Sequence, residues 1–103
     1  MNELNSVQKN SAEISLDEVC YTPPFEDETH FLFCAEVPII SSEFFDAGVQ
    51  DIKPARSLLV DTESYDENID RVKYKGNVYA IYRTYKMPTG RTQLYLTEKA
   101  GVR

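Results

Sequence analysis

From Tyr74 to Lys99 the chain reads YKGNVYAIYRTYKMPTGRTQLYLTEK, a run that alternates large apolar residues with charged and hydroxyl ones. Period-two alternation broken by turn residues is the pattern of a β-meander, and it leaves no apolar stripe at helical spacing. Gly76-Asn77 suits a two-residue hairpin turn. In Met87–Arg91, proline presets φ and glycine supplies a positive φ. Val78–Lys86 and Thr92–Glu98 are the strands on either side of that second turn, and Val72 and Tyr74 belong to the strand before the first. Leu94 and Leu96 are expected inward, with Gln93, Tyr95 and Thr97 outward. Val78, Ala80, Tyr82 and Thr84 share one face of the long strand, and Tyr79, Ile81, Arg83 and Tyr85 share the other.

The rest of the chain continues in strands. Ile14, Leu16 and Val19 place a first strand over 13–20. YTPPFEDET at 21–29 is a loop, because its two prolines forbid central-strand pairing. FLFCAEVPII at 31–40 is aromatic and branched, with Phe31, Phe33, Ala35 and Val37 on one face and Leu32, Cys34 and Glu36 on the other. Ser41–Gly48 has a serine cap, acids in its first turn and a glycine stop, which predicts one or two helical turns anchored by Phe44 or Phe45. Ala55–Thr62 forms a strand with Leu58 and Val60 on one face and Leu59 on the other, and Glu63–Asp70 is an acidic loop. About six mostly antiparallel strands with one short helix define an all-β sandwich or small barrel.

The 103 residues suit one domain with its own core. Residues 1–12 lack hydrophobic period and are expected to be a flexible tail, with the single domain spanning 13–102. The N-terminal MNELNSVQKNSAE has no apolar signal core, and no run approaches the roughly 18 apolar residues of a membrane span. A cytoplasmic setting follows as the expectation, with Cys20 and Cys34 as reduced thiols. Net charge is -6, unevenly spread: residues 1–70 hold 16 acids and 3 bases, and residues 71–103 hold 8 bases and 1 acid. Either strands from the two parts pair and neutralise each other, or the fold has two faces of opposite sign.

Enzymatic chemistry finds no convergent constellation here. His30 stands without a nucleophile or carboxylate motif, and two cysteines with one histidine at wide spacing make no zinc site. Asp61, Glu63, Asp66, Glu67 and Asp70 lack the calcium-loop spacing and its glycine, so they read as a solvated loop. No glycine-rich phosphate fingerprint is present, and no cofactor is expected. The tyrosine-rich basic meander, holding five of the seven tyrosines, fits either a protein contact or a single-stranded nucleic-acid-binding barrel face.

An ordered set of short signatures resembles the head-closure proteins of long-tailed phages, also called stopper or head-completion proteins of the head–tail connector. EISL at 13–16 matches the start of that family's first strand. FLFCAEVPIISSEFFDAG at 31–48 resembles its Phe-Cys strand followed by a short helix. IKPARSLLV at 52–60 resembles its Lys-Pro strand, SYDENIDRVKYKGNVYAIYRTY at 64–85 its acidic turn, hairpin and central strand, and TQLYLTEKAGV at 92–102 its closing strand. Relatives often carry another hairpin between the first two strands, where this chain has a short, proline-bearing acidic connection.

The resemblance implies a small β-barrel with a short helix and a structural, non-catalytic role. Copies would form a ring under the portal–adaptor complex, retain packaged DNA and provide the tail attachment platform. The implied partners are the adaptor protein, a tail or tail-terminator protein, and further copies of the chain. DNA would pass through the channel without specific binding. The implied location is the virion head–tail interface, assembled in the bacterial host cytoplasm without membrane contact. On this reading Glu26, Asp27 and Glu28 face the channel. Ser42, Glu43, Phe44, Phe45, Arg83, Tyr85 and Arg91 are the interface candidates. The alternatives are a small single-stranded nucleic-acid-binding β-barrel, or another phage connector or tail-terminator subunit.

Overall fold

The structure, a computed structural model, describes residues 11–39 and 54–98. Within them six strands run β1 (Glu18–Tyr21), β2 (Phe31–Glu36), β3 (Pro54–Asp61), β4 (Arg71–Tyr74), β5 (Asn77–Lys86) and β6 (Arg91–Thr97). They close into an antiparallel barrel in the order β1-β2-β3-β6-β5-β4. Closure removes the free sheet edges that a small all-β chain otherwise exposes. The best-paired seam is β3–β6, from Pro54↔Thr97 to Asp61↔Arg91. The closing seam, β1–β4, has only Tyr21↔Lys73.

The inward-facing residues obey strand alternation. Cys20, Leu32, Cys34, Leu58, Val60, Val72, Tyr74, Tyr79, Leu94 and Leu96 form the buried core, with Ile81 packed against it. At one end of the barrel the inner face turns polar and is plugged by side chains. Arg56 donates to both Glu36 oxygens at 2.9 Å and, through Nε, to the Tyr79 hydroxyl at 2.9 Å. The Tyr74 hydroxyl donates to Glu18 at 2.5 Å. The Arg56 guanidinium also lies 5.5 Å from the Tyr74 ring centroid, so a cation on a π face seals the opening.

Several expectations shift in the structure. The first strand begins later, at Glu18, after a 3-10 turn at Ser11–Glu13. Ile14 and Leu16 do not enter the sheet. They pack over its outer surface against Val37, Leu59 and Met87, a second apolar cluster. β6 is buried on both faces, Gln93, Tyr95 and Thr97 included, contrary to the outward placement expected for those three; Tyr95 lies against the Tyr82 ring and the Arg83 guanidinium. Gln93 sits in that outer layer, donating to the Ser57 hydroxyl at 2.6 Å and to the Pro38 carbonyl.

The first hairpin turn is Lys75-Gly76 rather than Gly76-Asn77. Both turn residues have positive φ, 51° and 83°, and Asn77 pairs with Tyr74 inside the ladder. A two-residue turn of the primed type needs left-handed backbone at both central positions, which fixes the register one residue earlier. The second strand ends at Glu36, although the Val37 amide still donates to the Ser57 carbonyl at 2.9 Å. The helix expected over 41–48 lies outside the described residues.

Candidate interaction surface

The barrel's antiparallel order gathers three connections at the end opposite the Arg56 plug: the acidic loop 22–30, the acidic loop 62–70 and the turn at 87–90. The first is closed by the Thr22 amide donating to the His30 carbonyl at 2.8 Å. Glu26 and Asp27 are exposed at its tip. Glu28 is held differently: it has a φ of 53° and its carboxylate pairs with Lys73 at 2.8 Å. Of the three channel-facing candidates, Glu26 and Asp27 are thus without a cation partner among the described residues, whereas Glu28 is engaged within the chain.

The two halves of the chain, opposite in charge, neutralise each other inside the fold. Lys73 pairs with Glu28, Lys86 with Glu67 at 3.2 Å and Arg91 with Asp61 at 3.1 Å, each joining a base of the later part to an acid of the earlier one. Arg71 pairs with neighbouring Asp70 at 3.7 Å and lies 5.8 Å from the Phe25 ring centroid. Lys75 sits over Tyr74 and Arg83 over Tyr95, at 5.4 and 5.7 Å from the ring centroids. Every lysine and arginine of the described residues therefore meets a carboxylate or an aromatic ring. Glu13, Asp17, Glu18, Glu26, Asp27, Glu63, Asp66 and Glu98 have no ion-pair partner among those residues.

The interface candidates separate in the same way. Arg91 is an internal clamp: besides Asp61 it donates to the Ile14 carbonyl at 3.1 Å and the Ala12 carbonyl at 3.5 Å, tying the N-terminal approach to the barrel. Arg83 is half-buried beside Tyr95, on one wall of an open groove of about 430 Å³ between β5 and loop 65–70. Tyr65 lines the same groove, and burial followed by the carboxylates of Glu67, Asp66 and Asp70 pushes its phenol up. Tyr85 is one of the few large exposed apolar side chains. Ser42, Glu43, Phe44 and Phe45 lie outside the described residues.

The most exposed aromatic surface is one that sequence reasoning did not single out. Phe31 and Phe33 are 47% and 57% exposed, in an edge-to-face pair with ring centroids 5.4 Å apart. Their register partners across the ladder are Tyr21 and Val19, so the four side chains share the outer face of the β1–β2 hairpin. The alternation of 31–37 was visible in the sequence, but nothing in it said which face points out. The structure decides this by burying Leu32 and Cys34 in the core.

Among the described residues no group of three or more His, Cys, Asp or Glu side chains is arranged to hold a metal ion. His30 is exposed, with its ring 3.2 Å from the Thr29 hydroxyl. Fold and surface together define a small closed antiparallel barrel with a side-chain-filled interior, an acidic end and an aromatic outer patch. Compared with protein-family models, with curated proteins and with solved structures, the chain matches none of them.

Proposed function

We propose that the chain is a structural subunit of a phage head–tail connector, a head-closure or stopper protein. It would form a ring under the portal–adaptor complex, retain packaged DNA and present the attachment platform for the tail. The observation that supports this reading is that four of the five resembling signatures contain strands of one closed barrel, EISL at 13–16 lying outside the sheet. The Phe-Cys segment gives β2, the Lys-Pro segment β3, the segment 64–85 the β4–β5 hairpin and the last segment β6, all in one closed barrel. Exposed Glu26 and Asp27 beside the acidic loop 62–70 suit a channel wall, because like charge repels the phosphates of passing DNA. Tyr85 and the half-buried Arg83 suit a contact with the adaptor, the tail side or a neighbouring copy.

Among the described residues every lysine and arginine meets a carboxylate or an aromatic ring, which supports this reading over a nucleic-acid-binding barrel, since phosphate binding draws on free Lys and Arg. The test is deletion of the gene from a phage that encodes the chain. The expected result is tailless heads that lose packaged DNA, rescued by the wild-type gene supplied in trans. Undiminished plaque formation would overturn the proposal. Intact filled heads with defective tails would point to a tail-terminator role. Tight binding of the purified chain to an oligonucleotide, weakening steeply with salt, would favour the nucleic-acid reading.

A further inference from the structure

We propose that the outer face of the β1–β2 hairpin is a docking site for a protein surface that carries aliphatic side chains flanked by lysine or arginine. The inference goes beyond the connector reading and does not depend on it. Val19, Tyr21, Phe31 and Phe33 form a contiguous apolar face on two directly paired strands. The two phenylalanines leave about half of their surface in water. Aromatic side chains pay little conformational entropy on binding and supply large contact area, so such a pair suits an anchor. Paired exposed aromatic rings on adjacent strands are the kind of apolar surface that partner contacts use, unlike single scattered surface hydrophobes.

Charge says what covers it. The strands bearing the patch are joined by the loop holding Glu26 and Asp27, both exposed and without a cation partner among the described residues. Lys73, the register partner of Tyr21 across β1–β4, already holds Glu28. A second copy of the chain is a poor occupant. Its net charge is -6, and its described bases are all engaged, so two copies meeting here would bring like charges together. A nucleic acid or an anionic membrane has the wrong sign for the same reason. A basic, apolar protein surface satisfies both the rings and the loop.

The test uses the full chain, labelled with ¹⁵N, and two synthetic peptides, one alternating leucine with lysine and one alternating leucine with glutamate. The leucine–lysine peptide is expected to shift the amide resonances of Val19, Tyr21, Phe31 and Phe33 together with Glu26 and Asp27. Replacing both phenylalanines by serine, Phe31→Ser with Phe33→Ser, should weaken binding at least about tenfold. The pair Glu26→Gln with Asp27→Asn should weaken it about three- to tenfold and flatten its salt dependence. These charge variants keep the proposal testable should the serine variant fail to fold. Shifts centred elsewhere, equal binding of the leucine–glutamate peptide, or unchanged affinity in the charge variants would overturn it. So would concentration-dependent self-association that the serine substitutions abolish, which would assign the patch to a second copy.

Discussion

Arg56 ties together three strands at one end of the barrel. It holds Glu36 with two bonds, donates to Tyr79 and covers the Tyr74 ring, closing one end of the barrel. Its side chain and that of Glu36 remain 30% and 36% exposed, so water screens part of the attraction. Arg56→Met is expected to cost about 1–2 kcal/mol, measured as a lower urea midpoint at unchanged slope. Tyr74 makes stability sensitive to alkali: burial, then the hydrogen bond to Glu18, pushes its phenol up. Below the unfolded tyrosine value, about 10, both states keep the proton and the contribution is whole. Above it the unfolded chain ionises first, so it binds fewer protons than the native state and stability falls as pH rises. Urea unfolding should show this decline past about pH 10, and Tyr74→Phe should make it shallower.

At the scale of elements, the β4–β5 hairpin turns on two residues in left-handed backbone. Lysine at position 75 carries a Cβ there, while Gly76 has no atom within 4 Å of where a Cβ would stand. The strain of a substitution at 76 is therefore conformational rather than steric crowding. Gly76→Ala should cost about 1 kcal/mol, and Lys75→Asn should stabilise by a few tenths to about 1 kcal/mol, both read from thermal midpoints. The hairpin was legible in the sequence, because Gly and alternating residues are local signals. Its register was not, because Gly76-Asn77 and Lys75-Gly76 both place a glycine in the turn, and cross-strand pairing chose between them. The first strand failed for a related reason. Ile14 and Leu16 alternate as a strand does, yet they serve as a lid on Leu59 and Met87, and a local pattern does not say which layer an apolar residue joins.

For the whole molecule, closure is uneven. The β3–β6 seam pairs from Pro54 to Asp61 with one irregularity at Ala55, and Leu58, Leu59 and Val60 are all buried, whereas β1 meets β4 at a single register pair. Opening of a barrel begins where least is lost, so amides of β1 and β4 should exchange with deuterium faster than those of β3 and β6. Uniform protection around the barrel would contradict this order. Charge is also organised at this scale. The sequence left open whether the bases after residue 70 pair with the earlier acids or form a face of their own, and folding directs Lys73, Lys86 and Arg91 to acids of the earlier part. Among the described residues, Glu26 and Asp27 remain exposed without a cation partner in the loop that joins the two strands of the aromatic patch.

Most strands of the barrel follow from the sequence alone, because residues such as those of FLFCAE and TQLYLT satisfy period two and β propensity without reference to anything distant. The turn chemistry at Gly76 and Gly90 is equally local. Tertiary structure decided what depends on residues far apart in the chain. It brought Glu18, Glu36, Arg56, Tyr74 and Tyr79 into one plug, buried both faces of β6, and turned Phe31 and Phe33 to water. Alternation fixes which side chains share a face, but only the packing of the other strands determines which face is the inside.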